Sequence, residues 1–257
     1  FNSSTSTLLR HIYIQSLPAF ENKEFLNESK RRITKQNAIK NLEKYKELPS
    51  NLQKKIMYIA SNQIFLRLKA EDILDIAIKA KDVNTYIYKI INESQLTIRI
   101  IRKSPLNLGY LLGKLEFLNI DSMNIFIFFD NKKAFDISFC EKVDSEDLYL
   151  IEEIIKDSFD MSKTTTLLTP IIKKENIKID CNHTAYLASM HIVAKDQKGL
   201  FAYIAKIFDD FNVEIESAKL HTLKGYARDL FLIEKNGSFC SNQEKIVNLI
   251  CIADKIE

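Results

Sequence analysis

Between Leu108 and Leu118 the apolar residues fall at offsets 3, 4, 7 and 10, through Leu111, Leu112 and Leu115. That spacing keeps them on one face of a helix. Between Leu200 and Phe211 the offsets are 4, 7, 8 and 11, through Ile204, Ile207 and Phe208, and a second helical face results. Strand-like runs surround each stripe. Leu96–Ile101 alternates, a polar loop with Pro105 follows, and after the first stripe come strands over 120–129 and 134–139. Asp144 then caps a helix bearing Leu148, Ile151 and Ile155. The second stripe sits among strands over 186–195, 213–222 and 227–234. The turns there are Asp196–Gly199 and Lys224-Gly225. A capping box of Ser241 and Glu244 opens a last helix with Ile246, Leu249, Ile250 and Ala253. The order strand, helix, strand, strand, helix therefore occurs twice. Lys103 and Asp196 are 93 residues apart, and so are Asn119 and Asn212. Residues 96–257 thus read as two copies of one βαββα unit.

The rhythm before residue 95 is different. Leu8, Leu9, Ile12 and Ile14 form an apolar segment that Pro18 interrupts. A charged, helix-compatible stretch over 22–47 ends at Pro49. Ser50 and Gln53 form another capping box, followed by Leu52, Ile56 and Ile59 at helical spacing. Glu71 and Asp72 then precede Ile73, Leu74, Ala77 and Ile78, an amphipathic helix with acid at its positive end. The fold class expected is α+β: a helical region followed by two ferredoxin-like units. The bounds are 1–94 for the helical connector, 95–160 for the first unit, 161–182 for a linker and 183–257 for the second unit. The linker holds Ile177-Lys178-Ile179, a short alternating run. A split βαβ unit closes with a strand beside its first. Ile177–Ile179 is therefore expected to pair antiparallel with the 186–194 strand.

Composition narrows the chemistry. The 37 basic and 34 acidic residues leave a net charge of +3 over 257 residues. That balance speaks against nucleic acid as a partner, which calls for concentrated positive charge. The basic run Lys30-Arg31-Arg32 is flanked by acids and reads as a solvated helix face. No run of 18 apolar residues exists, so no membrane span is expected. The chain opens on Phe1 without a secretory signal pattern, and reads as a piece of something longer. Cys140, Cys181, Cys240 and Cys251 form no C-x-x-C pair and are expected as idle thiols in a reducing cytoplasm. His11, His183, His191 and His221 fall in no metal-binding motif, so no metal is assigned. Only five glycines occur, too scattered for a P-loop or a G-x-G-x-x-G cradle.

The second unit resembles an ACT domain, a small regulatory module. The stretches that carry the likeness are Asp196-Gln197-Lys198-Gly199-Leu200, Ile207-Phe208, Asn212 through Thr222 with Ser217-Ala218, and Arg228-Asp229-Leu230-Phe231. Together they resemble the C-terminal ACT domain of the bacterial PII uridylyltransferase/uridylyl-removing enzymes. Asn2 to Phe20 is similar to the segment after that family's HD domain. Leu48-Pro49 through Phe65-Leu66, with Glu71-Asp72-Ile73, is similar to its helical connector. Gln197-Lys198 stand where the family usually carries Arg-Pro. Lys103-Ser104-Pro105 lacks the acidic residue, and Ile76 stands where a histidine is expected. The resemblance implies an enzyme that adds UMP from UTP to the PII signalling protein, and removes it when glutamine is high, with a divalent metal such as Mg2+. The nucleotidyltransferase and HD motifs are absent from these residues, so no catalytic residue is assigned and no cofactor is expected in this chain.

What the resemblance leaves here is a glutamine-sensing pair of ACT units in a cytoplasmic protein. Its partners are glutamine or another small amino acid and, through the parent enzyme, PII. ACT units pair within one chain or across a dimer, and both arrangements stay open. The expected ligand residues are Asp196, Gln197, Lys198, Gly199, Leu200, Ser217 and Ala218, with a weaker second site at Ser104, Pro105 and Asn107. A helix start offers free N–H groups and a positive dipole end to a carboxylate. Gly199 admits a ligand close to the backbone, and Asp196 is placed to receive an ammonium. The plainer reading has Asp196 as a helix cap and Gly199 as a packing residue. Two other functions also fit: a free-standing ACT repeat for another amino acid, and a ligand-free dimerisation module.

Overall fold

The computed structural model describes residues 29–59, 62–184, 187–220, 222–223, 225–235 and 239–251. The apolar segment at Leu8–Ile14, the Asn2–Phe20 stretch, Tyr186, His221, Lys224 and Ala253 lie outside them. The chain divides into two compact units, 1–81 and 82–257.

In the first unit the described elements are helices α1 (29–40), α2 (Glu43–Lys46), α3 (Ser50–Met57), α4 (Asn62–Arg67) and α5 (Ala70–Lys81). Leu52, Ile56, Ile59, Ile73, Leu74 and Ala77 are buried, as the helical spacing predicts, and Ile39, Ile64 and Phe65 are buried as well. Glu71 and Asp72 lie in the first turn of α5. The expected Ser50 cap is corrected: Pro49 is the N-cap residue and Ser50 is already helical. Gln53 instead turns back and donates to the Tyr45 and Leu48 carbonyls, both at 3.0 Å. Pro49 has no N–H to satisfy, which suits it to a helix entry.

The second unit is built on a single antiparallel sheet. Its strands are β1 (Tyr86–Asn92), β2 (Leu96–Arg102), β3 (Ile120–Ile127), β4 (Lys133–Phe139), β5 (Ile177–Asp180), β6 (Leu187–Lys195), β7 (Ile215–Lys219), β8 (Thr222–Leu223) and β9 (Tyr226–Glu234). The order across it is β1-β2-β4-β3-β7-β9-β6-β5, with β8 added to β9. The first repeat contributes β1–β4 and the second β5–β9, and each adds two helices: α6 (Leu108–Lys114) and α7 (Ser145–Asp157), then α8 (Leu200–Asp210) and α9 (Phe239–Ile250). Apolar residues from all four helices and both half-sheets merge into one core, including Ile98, Leu111, Ile137, Ile155, Met190, Ile204, Phe231 and Ile246. The architecture is α+β with two ferredoxin-like repeats.

The expected edge strand is present. Ile177 pairs with Ile192 and Ile179 with Met190, antiparallel to β6. The first repeat closes its own edge in the same way, since β1 pairs with β2 from Tyr86↔Arg102 to Asn92↔Leu96. That strand corrects the helical expectation for 1–94. Tyr86–Asn92 alternates between more and less exposed positions, as an edge strand does, and carries no wide apolar face. Each repeat therefore takes its closing strand from the segment before it.

Local signals explain most ends. Asp144 caps α7, accepting from the Glu146 and Asp147 amides at 3.0 and 2.9 Å. Asp130 and Asn131 turn the β3–β4 hairpin with φ of 60° and 57°, the pair of left-handed residues a tight hairpin favours. Ser241 is not a cap, because α9 already includes Phe239. The four cysteines are also not all free: Cys181 and Cys240 form a disulfide, with Cα atoms 6.1 Å apart. The β5–β6 hairpin brings Cys181 to the first turn of α9, a proximity that a separation of 59 residues conceals. Cys140 and Cys251 remain thiols. Among the described residues no helix is long and apolar enough to cross a membrane.

Candidate functional site

The loop after β6 is held from two sides. The Asp196 amide donates to the Gly225 carbonyl at 2.9 Å, and its Oδ2 accepts from Thr222 Oγ1 at 3.2 Å. The Gln197 side chain forms a reciprocal pair with the linker: its Oε1 accepts from the Ile171 amide at 2.8 Å, and its Nε2 donates to the Ile171 carbonyl at 2.9 Å. Gln197 is thus a tether between loop and linker, and Lys198 is exposed.

Asp196 does not cap α8. The N-cap residue is Gly199, at φ 73°, and no side chain bonds the first turn. Glycine takes this left-handed conformation without the Cβ clash other residues meet. The Leu200 amide donates to the Gln197 carbonyl at 3.2 Å, and the amides that follow it begin the helix at its positive end without a side-chain cap.

That start opens on a cleft of about 240 Å³. Asp196 through Ala202 form one wall, with Leu220, Thr222, Ala227 and Asp229. The first repeat forms the other, from Leu112 to Asp121. The charged lining comprises Glu116, Asp121, Asp196 and Asp229 against Lys198 alone. Four carboxylates and one ammonium favour a ligand with a cationic group over one with several negative charges. Glu116 Oε2 is buried and has no hydrogen-bond partner. It lies 3.4 Å from the point a Cβ on Gly199 would occupy. The volume lies below the roughly 300–1,000 Å³ of drug-sized sites and suits a small metabolite.

A second cleft, of about 180 Å³, lies at the start of α6. Arg102, Pro105, Leu106 and Leu108 face Asp209, Asn212, Val213 and Glu214 across it. Here the helix start is filled from within. The Asn107 side chain accepts from the Tyr110 amide at 3.0 Å and donates to the Lys163 carbonyl at 2.9 Å. Asp209 Oδ2 accepts from the Gly109 amide at 2.8 Å. Burial raises the Asp209 carboxyl to about 7, helped by Asp210 and opposed by the Gly109 amide, Lys206 and Arg102. Burial also lowers the Arg102 guanidinium, against the pull of Glu214 and Asp209. Lys133 bonds Glu214 and, at 3.1 Å, the Ile215 carbonyl. Although burial opposes it, that lysine keeps the Glu214 carboxyl below its usual value.

Asp196, Gln197, Lys198, Gly199 and Leu200 are thus brought to one cleft. Ser217 and Ala218 are not: both are buried in β7, and Ala218 joins the core. A register shift between Ile215 and Ser217 sets which residues of that strand point inward. β7 itself does stand at the repeat junction, pairing with β3 at Asn124↔Lys219. Of the second set, Pro105 lines its cleft, Asn107 is the α6 cap, and Ser104 accepts from Arg102 Nη1 at 3.1 Å through its carbonyl. Glu116 and Asp229 were not expected. Asp229 had a visible signal, an acid on the inward side of β9 between buried Ala227 and Phe231. Glu116 had none locally, because it reaches the site from the other repeat.

Fold and cleft together define a tandem ferredoxin-like pair with a small, acid-rich cavity at the repeat junction. The chain is similar to the bifunctional uridylyltransferase/uridylyl-removing enzyme of Nitrosospira multiformis, 35% identical over 80 residues, which are 31% of this chain and 9% of that protein. The enzyme of the same name from Chromobacterium violaceum is 39% identical over 64 residues, 25% of this chain and 7% of that protein. The matches thus span less than a tenth of the length of these curated relatives. No protein-family profile matches the chain, and no solved structure matches it.

Proposed function

We propose that this chain is the amino-acid-sensing, regulatory portion of a cytoplasmic PII uridylyltransferase/uridylyl-removing enzyme, with glutamine as its ligand. The observation that carries the proposal is the uncapped α8 start at Gly199, open to an acid-lined cleft of about 240 Å³. An α-amino acid presents a carboxylate and an ammonium side by side. The amides at the α8 start suit the carboxylate, and the acidic lining suits the ammonium. The local similarity to two uridylyltransferase/uridylyl-removing enzymes supports this reading of the family. The ACT character of the repeats and the PII partner rest on the sequence resemblance. The transferase and hydrolase chemistry, with its Mg2+, belongs to parts of such an enzyme that these residues do not include.

Regulation follows from linkage. Glutamine biases the enzyme only by binding one arrangement of the repeat pair more tightly than another. A difference of about 1–3 kcal/mol is typical of such coupling. Calorimetry of the whole chain with glutamine tests the reading. Binding is expected, and Asp196→Ala should weaken it by about threefold to tenfold, since an exposed charge at the rim contributes modestly. Absence of heat with glutamine from a folded sample would refute the reading.

A further inference from the structure

α6 and α8 pack tightly against each other, with each beginning beside the other's end. A Cβ on Gly109 would sit 2.6 Å from Lys206 Cα. Each helix start thereby meets a carboxylate from the neighbouring helix's last turn or just beyond it. Asp209 serves the α6 start, and Glu116 serves the α8 start. The two acids are 93 residues apart, the spacing of the repeat markers in the sequence. Their situations differ in one respect. Asp209 is satisfied by the Gly109 amide at 2.8 Å, whereas Glu116 Oε2 is buried beside Gly199 with no partner. A buried acceptor without a donor is costly, and more so for a charged group. A ligand that brings the missing donor recovers that cost.

We propose that Glu116 is the ligand-recognition residue of the Gly199 cleft and accepts the α-ammonium of the bound amino acid. This rests on the amino-acid-sensing reading and deepens it. The carboxylate and ammonium of an α-amino acid are both attached to its α-carbon, so their protein partners must also be neighbours. Glu116 Oε2 lies 3.4 Å from the Cβ position of Gly199, the residue from which α8 starts. Asp196 is less suited to the ammonium: it is exposed and already accepts from Thr222. The site therefore takes its carboxylate-binding amides from the second repeat and its ammonium acceptor from the first. A bound amino acid bridges the two.

The test is calorimetry of the whole chain with glutamine and with glutaramic acid, which is glutamine lacking the α-amino group. Wild type should prefer glutamine by about tenfold to a hundredfold, the value of a charge-assisted hydrogen bond. Glu116→Gln keeps the side-chain size and removes the charge. It should reduce that preference to about threefold or less, with a thermal midpoint no lower than wild type, since a buried charge without a partner is removed. A second measurement needs no variant: the Glu116 side-chain carboxyl resonance should shift with glutamine and stay in place with glutaramic acid. If Glu116→Gln keeps the full preference, or the resonance does not move, the inference falls while the sensor reading stands. If wild type binds no glutamine, both fall.

Discussion

The two helix starts of the second unit are built from the same parts and left in opposite states. At α6 side chains of the chain itself meet the first turn: Asn107 caps from within the loop and Asp209 arrives from α8. At α8 the cap position is a glycine, no side chain bonds the first turn, and Glu116, which lines the cleft, has its Oε2 buried without a partner. A duplicated fold supplies two equivalent corners, and side chains decide which one is closed. The glycines mark the same division. Gly109 is required because a neighbouring backbone passes against it, whereas Gly199 is required because the chain turns left-handed there.

Substituting these glycines should therefore do different damage, and the larger should fall at the closed corner. Gly109→Ala forces a methyl to 2.6 Å from Lys206 Cα and 2.8 Å from its amide nitrogen. Neither atom is a flexible side-chain end, so the helices must separate. A loss of about 3 kcal/mol is expected. Gly199→Ala meets only Glu116 Oε2 at 3.4 Å and the Leu168 Cβ at 3.7 Å. It should cost about 1–2 kcal/mol through backbone strain. Glutamine binding should suffer more from Gly199→Ala than from Gly109→Ala. Urea unfolding with parallel calorimetry reads both effects, and the reverse order of stabilities would break the comparison.

The contrast was only half legible in the sequence. The apolar stripes at Leu108–Leu118 and Leu200–Phe211 located both helices, and the Asp196–Leu200 loop located the open corner. Those signals are local, because periodicity and turn chemistry act over a few residues. The edge strand Ile177–Ile179 was readable because the repeat lacked a closing strand. Its counterpart Tyr86–Asn92 was hidden by the helical character of what precedes it. Glu116, Asp209 and the Gln197–Ile171 pairing depend on which segments the sheet order brings together. No local window holds that information. The Cys181–Cys240 disulfide was missed for the same reason.

Asp209 gives the closed corner a pH dependence. Its carboxyl is raised from 3.8 to about 7 in the folded chain, first by burial. The folded state therefore holds its proton more tightly than the unfolded chain. The resulting stabilisation is complete below the unfolded value, declines as pH rises between the two, and is gone above about pH 7. Asp209→Asn keeps an acceptor for the Gly109 amide and cannot ionise. Its thermal midpoint should gain on wild type from about pH 4 to about pH 7, with a constant gap above that. The value of about 7 already contains the support of Arg102 and Lys206, so the gain should approach about 4 kcal/mol, at about 1.4 kcal/mol for each unit of the shift. A gap independent of pH would show that Asp209 is charged throughout.

The smallest effect should come from Gln197, and it separates support of the open corner from recognition within it. Its amide is already paired with Ile171 in both directions and also donates to the Lys195 carbonyl at 3.2 Å. A side chain whose donors and acceptor are engaged by the linker contributes to a ligand only by holding the loop. Gln197→Ala should cost about 0.5–1 kcal/mol in stability, since the lost bonds are exposed to water. It should lower glutamine affinity without changing the preference for glutamine over glutaramic acid, whereas Glu116→Gln should change that preference itself. If Gln197→Ala also erased the preference, recognition would reside in the loop and not across the repeat junction.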